Sequence, residues 1–139
     1  GRIWASLYIE GNKTKNLITA GPFSMVRNPL YFFSLIMLLG FSLALKAIYL
    51  PLALLLIFVL FHVPTIANEE RKLRKNHGDK FESYMKSTPR LIPNIFKYKR
   101  PETGEKVLVK ISRINGVLIE VIGYLFLYTL IDIIYFILD

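Results

Sequence analysis

The 139-residue chain has no cysteine, which excludes disulfides, thiolate metal sites and a cysteine nucleophile. Its two histidines, His62 and His77, do not form a metal-binding pair, so no metal site is expected. Neither a Gly-x-Gly-x-x-Gly after a strand nor a phosphate-cradling loop is present, so a nucleotide-type cofactor would have to be held without a Rossmann unit. Acidic residues are scarce, 10 against 18 Lys and Arg, leaving a formal net charge of +8. Charge of either sign is absent from Pro29 to Leu45 and from Ala47 to Ala67, and from Ile114 to Leu138 only Asn115, Glu120 and Asp132 interrupt an apolar run.

A soluble core of this size would interleave charge with apolar positions at helix or strand periods. Long uncharged runs instead predict membrane spans. The first two cover roughly 25 to 32 Å as helices, enough for a hydrocarbon core of about 30 Å. The expected architecture is therefore all-α: an integral membrane helical bundle of about three transmembrane helices plus an amphipathic interfacial helix. Most Lys and Arg fall between Arg71 and Arg113, directly after the second span. Basic residues in that place read as a cytoplasmic loop facing anionic lipid rather than as a nucleic-acid surface, since no nucleic-acid motif accompanies them. The same asymmetry places the start of the first span on the cytoplasmic side and the C-terminus opposite.

Taken in order, Ile3 to Ile9 is apolar but too short to cross a bilayer, and reads as an interfacial helix or the tail of an earlier span. Glu10-Gly11-Asn12-Lys13 and Thr19-Ala20-Gly21-Pro22 are breaks. The chain starts with glycine and lacks a cleavable signal, as a piece of a longer protein would, with spans able to precede Arg2. Asn28 suits an N-cap and Pro29 the first helical position of span one. Lys46 marks a tight hairpin tip. Pro64 is expected to kink the end of span two, leaving His62, Thr65 and Glu69 facing a cavity. From Asn68 to Met85, Leu73, His77, Phe81, Tyr84 and Met85 recur at three- and four-residue steps, the pattern of an amphipathic helix on the membrane surface, with a break at Gly78. Glu70 is placed to pair with Arg74 one turn on. Ser87 to Pro93 cannot continue a helix, and Asn94 to Arg113 reads as a basic loop or short hairpin with a turn at Pro101 to Gly104. Glu120 and Asp132 are expected to snorkel from the two ends of span three.

Two stretches carry chemistry. The first, Arg27-Asn28-Pro29-Leu30-Tyr31-Phe32-Phe33, sits where a polar turn becomes an apolar helix. The second reads Glu69-Glu70-x-x-Leu73, then His77-Gly78, Phe81, Tyr84 and Thr88-Pro89-Arg90-Leu91-Ile92-Pro93. Together, in this order and separated by a helical hairpin, they resemble the isoprenylcysteine carboxyl methyltransferase and phospholipid N-methyltransferase group of membrane enzymes. The resemblance covers Gly21 to Pro93, and the chain is expected to form one domain: a cofactor-binding core over 21–93, a basic loop over 94–113 and an additional helix over 114–138. Asn28 replaces the histidine of the family motif Arg-His-Pro-x-Tyr-x-Gly, and Phe33 replaces its glycine. Thr65 stands where many relatives carry a basic residue.

The resemblance implies S-adenosylmethionine as cofactor and a lipophilic acceptor, an isoprenylcysteine-like carboxylate or a lipid amine, met at the cytoplasmic membrane boundary. A zwitterionic sulfonium cofactor needs a carboxylate for its ammonium, a cation for its carboxylate and apolar walls for its adenine. Glu69 or Glu70, Arg27 or Arg90, and Tyr31 or Tyr84 are the candidates, with Asn28 and Pro29 shaping the turn. Glu69 and Arg27 are the candidate catalytic groups, Glu69 as base for an amine acceptor. The alternatives are a non-catalytic scaffold that keeps the fold, which the Asn28 and Phe33 departures allow, and an anchor for anionic lipid.

Overall fold

The computed structural model describes residues 1–11, 17–45, 48–100 and 111–138. The described residues form six α-helices and one 3-10 turn: α1 (Arg2–Gly11), α2 (Pro22–Met25), α3 (Pro29–Ala44), α4 (Leu50–His77), α5 (Asp79–Ser87), the 3-10 turn Ile95–Lys97 and α6 (Ile111–Leu138). No strand occurs among the described residues; a single bridge joins Gly21 to Lys99. Glu10 and Gly11, expected to open a turn, instead continue α1 to its end, since a break in composition does not stop a helix before its last turn; Asn12-Lys13, the Lys46 hairpin tip and the turn at Pro101 to Gly104 lie outside the described residues.

The chain folds into an all-α membrane bundle. Two helices, α4 and α6, are long and apolar enough to cross a membrane. The third apolar helix, α3, has 16 residues and rises about 24 Å, shorter than the other two. Large apolar side chains point outward along α4 (Leu52, Leu56, Leu60, Phe61) and α6 (Ile119, Ile122, Phe126). A surface this apolar is costly in water and matched in lipid.

Antiparallel packing of α3 on α4 forms the centre of the molecule, with Tyr31 at the start of α3 beside His62 in the middle of α4. Phe58 and Ile66 of α4 are buried. A single helix of 28 residues runs through Pro64 and past the expected boundary at Asn68. Proline there removes one backbone donor, and its exposed ring lies away from the packed face, so the helix continues. The amphipathic stretch is consequently divided: Asn68 to His77 extends α4, and Asp79 onward forms α5. Gly78 makes the turn with φ +51°, a left-handed conformation that favours glycine. Gly21 (φ +60°) is doubly constrained, because a Cβ there would also meet the Tyr8 ring.

The apolar stripe of α5 faces protein. Phe81 and Tyr84 are buried, whereas Leu73 on the extension of α4 remains partly exposed. Beyond α5 the chain doubles back along α2. Arg27 N donates to Pro89 O (2.8 Å), Asn94 N to Met25 O (2.9 Å) and Gly21 N to Lys99 O (2.8 Å). This strap brings the Arg90 region against the turn that precedes α3. The last helix, α6, leans on α1, where Arg2 pairs with Glu120 (2.5 Å), and on α3 through an edge contact of Tyr124 with Phe41.

Candidate functional site

The expected capping residue does something else. Asn28 is at the N-cap position and Pro29 follows as the first helical residue, but the Asn28 side chain makes no capping bond. Its amide donates across the fold, to Arg90 O (2.9 Å) and to Glu70 Oε1 (3.3 Å). Two acceptors distant in sequence displace one local donor, so a residue read as local punctuation ties three segments together. Its backbone carbonyl still accepts the first helical bond, from Phe32 N.

Glu70 is the hub. Its side chain is 15% exposed and lies 3.5 Å from the Arg27 guanidinium and 3.2 Å from Arg90 Nε. One carboxylate thus receives two guanidinium groups and an amide, which satisfies its acceptors and leaves a surplus positive charge. Arg27 Nε is buried without a hydrogen-bond partner among the described residues. The expected Glu70–Arg74 pair is not formed. Arg74 instead turns across the Gly78 corner to Glu82 (2.7 Å), while the stronger field of two cations holds Glu70.

Glu69 faces another way. One residue along a helix is a rotation of about 100°, and this carries Glu69 to the exposed α3–α4 groove, where it accepts a hydrogen bond from the Tyr31 hydroxyl (3.0 Å). Below this pair, His62 stacks on Phe58 at 4.1 Å between ring centroids and meets the Tyr31 ring edge-on at 5.4 Å. Its Nδ1 lies 3.1 Å from Phe58 O, so a protonated Nδ1 donates to that carbonyl and leaves Nε2 as the acceptor. Thr65 bonds back to Phe61 O within its own helix. The aromatic column of Phe58, His62 and Tyr31 escaped the sequence reading, although the i, i+4 spacing of Phe58 and His62 was its visible half.

Tyr84 takes a structural position. It is buried and its hydroxyl donates to Phe23 O at 2.6 Å, fastening α5 to α2 beneath the cluster. Burial raises its pKa; the Arg27 charge pulls it down and the Glu70 charge raises it further. Pro29 is buried at the turn. Phe33, two residues and about 200° round α3 from Tyr31, lays its ring against Gly1 at the start of α1.

The structure therefore brings Arg27, Asn28, Pro29, Tyr31, Glu69, Glu70 and Arg90 to one end of the α3–α4 pair, with Tyr84 below them. A notch of about 170 Å³ opens beside Glu70, lined by Ala67, Arg71, Arg74, Met85 and Arg90. At about 30 Å³ per water it has room for one charged group with its hydration. Among the described residues no three His, Asp or Glu side chains come together as a metal site.

Apolar helices of membrane-crossing length, with an Arg–Glu–Arg cluster where the α3–α4 pair meets the polar turn, define the class as a helical membrane protein with a charged site at its polar boundary. The chain belongs to the phospholipid methyltransferase family, whose model matches residues 3–80. It is similar to the nickel-cobalt-cadmium resistance protein NccN of Alcaligenes xylosoxydans xylosoxydans, with 34% identity over 103 residues, 74% of this chain and 48% of that protein. It is equally similar to the cobalt-zinc-cadmium resistance protein CzcN of Cupriavidus metallidurans, with 34% identity over 103 residues, 74% of this chain and 47% of that protein. The chain spans about half the length of these curated relatives. No solved structure matches it. The family match includes Glu69 and Glu70 but stops before Arg90 and α6.

Proposed function

We propose that the chain is an S-adenosylmethionine-dependent methyltransferase module that acts on a lipophilic acceptor, an isoprenylcysteine-like carboxylate or a lipid amine, at the cytoplasmic boundary of a multi-pass membrane protein. The observation that carries this reading is the separation of two poles on adjacent faces of α4: a cationic one at Arg27, Glu70 and Arg90, and an anionic one at Glu69 with Tyr31. The donor set suits a zwitterion. The surplus guanidinium charge would hold its carboxylate, Glu69 its ammonium, and the Tyr31 and His62 rings would supply aromatic wall. Bound there, the cofactor supplies an activated methyl group, and this chain need supply only alignment. No covalent nucleophile is required of it. For an amine acceptor a base must take the proton, a role open to Glu69 only where it does not hold the ammonium; a carboxylate acceptor needs no base. The metal resistance in the relatives' names is theirs, and nothing in the proposed chemistry requires a metal.

The test is binding of S-adenosylhomocysteine, the demethylated product, to detergent-solubilised protein. Binding to the wild type that weakens about tenfold in Glu69→Gln and in Arg27→Ala supports the reading, and transfer of labelled methyl into a lipid extract then identifies the acceptor. A wild type that does not bind favours the non-catalytic scaffold, in which Asn28, tied to Glu70 and Arg90, is simply a brace.

A further inference from the structure

The strap that follows α5 displays apolar side chains to solvent in a way that the site does not explain. Ile92 is 79% exposed, Ile95 66% and Phe96 93%. They stand on a fixed support. Asn94 N donates to Met25 O, and Asn94 Oδ1 accepts from Phe96 N (3.1 Å). Lys97 Nζ reaches Ser87 O, and Lys99 N donates to Ser24 Oγ (2.8 Å). An open cleft of about 630 Å³ lies between the strap and the end of α5. Held by these hydrogen bonds, the strap backbone presents the three side chains away from the protein.

Height and charge indicate what covers them. The strap is tied to Ser24 and Met25, a few residues before Pro29 begins the apolar α3. It therefore sits at the level where the chain passes from water into lipid. Exposed Lys86, Lys99 and Arg100 lie on and beside it. An apolar tip with a basic rim at that level is the pattern of interfacial insertion into an anionic leaflet. Apolar surface alone would suit a protein partner as well; the cations and the continuity with the membrane helices favour lipid.

We propose that Ile92, Ile95 and Phe96 insert into the headgroup–acyl boundary of an anionic leaflet, with Lys86, Lys99 and Arg100 against lipid phosphates. This seating is independent of methyl transfer. Because the same strap carries Arg90, docking it also fixes one side of the Glu70 cluster.

Trp4 is the only tryptophan, so a Trp4→Phe background gives a silent protein for single-tryptophan reporters. The full chain with Phe96→Trp is reconstituted into vesicles of phosphatidylcholine with phosphatidylglycerol, and quenching by lipids brominated near the headgroup is compared with quenching by aqueous iodide. Leu56→Trp in mid-α4 and Lys75→Trp at the end of α4 provide the lipid and water references. The expected result is bromolipid quenching about threefold above the Lys75→Trp reference, with iodide quenching reduced about as much. Ile92→Trp should behave alike, which guards against a local effect of one substitution. Quenching should fall about twofold in phosphatidylcholine alone, and in Lys99→Gln/Arg100→Gln with the anionic lipid present. Iodide access at Phe96→Trp and Ile92→Trp equal to that at Lys75→Trp overturns the proposal and leaves this face to a protein partner. Equal bromolipid quenching with and without phosphatidylglycerol overturns the assignment of anionic lipid.

Discussion

Glu69 and Glu70 are identical in chemistry and adjacent in sequence, yet they occupy opposite situations. Glu70 is largely buried between two guanidiniums and an amide; Glu69 stands exposed with one phenol. A single helical step separates a carboxylate that holds the fold together from one that is available to a ligand. Stability and binding should therefore divide between them, and substitutions at the two positions are the way to break that division.

The largest effect is expected beneath the cluster. Phe81 is 1% exposed, and Phe81→Ala should cost about 3 to 5 kcal/mol and loosen α5 with both acids, measured as thermal unfolding in detergent. Next, Glu70→Gln leaves Arg27 and Arg90 facing each other without a counter-charge. Because Arg90 is half exposed, the cost should be about 2 kcal/mol rather than that of a fully buried pair. Glu69→Gln should cost under about 0.5 kcal/mol in the same assay, while weakening S-adenosylhomocysteine binding by about tenfold, or 1.4 kcal/mol. A Glu69→Gln protein as unstable as Glu70→Gln would erase the contrast.

The smallest effect depends on pH. Tyr84 has a raised pKa through burial, so in the folded state it keeps its proton where the unfolded chain, at about 10, has begun to lose it. The contribution is complete below pH 10 and is lost as pH rises above it, because the unfolded state then binds fewer protons. Wild type should lose under about 1 kcal/mol from this source by about pH 10.5. Tyr84→Phe, paired with wild type in alkaline melts, should show a correspondingly shallower decline after its own loss of the Phe23 hydrogen bond, about 1 kcal/mol, at neutral pH.

Much of the architecture was legible because lipid imposes a crude rule: uncharged runs of about 20 residues become helices. α4 and α6 follow from it; the Asn28-Pro29 start of α3 and the Gly78 corner follow from local backbone preferences. Bond partners were less legible. Asn28 has the residue type of a cap, and only the return of the strap 62 residues later supplies the acceptor that draws its side chain elsewhere. Glu70 and Arg74 have the spacing of a helical ion pair, worth a few tenths of a kcal/mol, and stronger partners from other segments outcompete it.

By itself the sequence determined where α3 starts and where the chain turns at Gly78, which helices suit lipid, and that Arg27, Asn28, Tyr31, Glu69, Glu70 and Arg90 are the candidate site residues, since these depend on composition and local spacing. Tertiary structure alone decided which acid is braced and which is open, that Tyr84 fastens α5 to α2, and that Glu120 near the start of α6 finds Arg2 of α1. Those outcomes rest on distances between segments far apart along the chain. Charge and hydrogen-bond geometry act over a few ångströms, and only folding brings such groups that close.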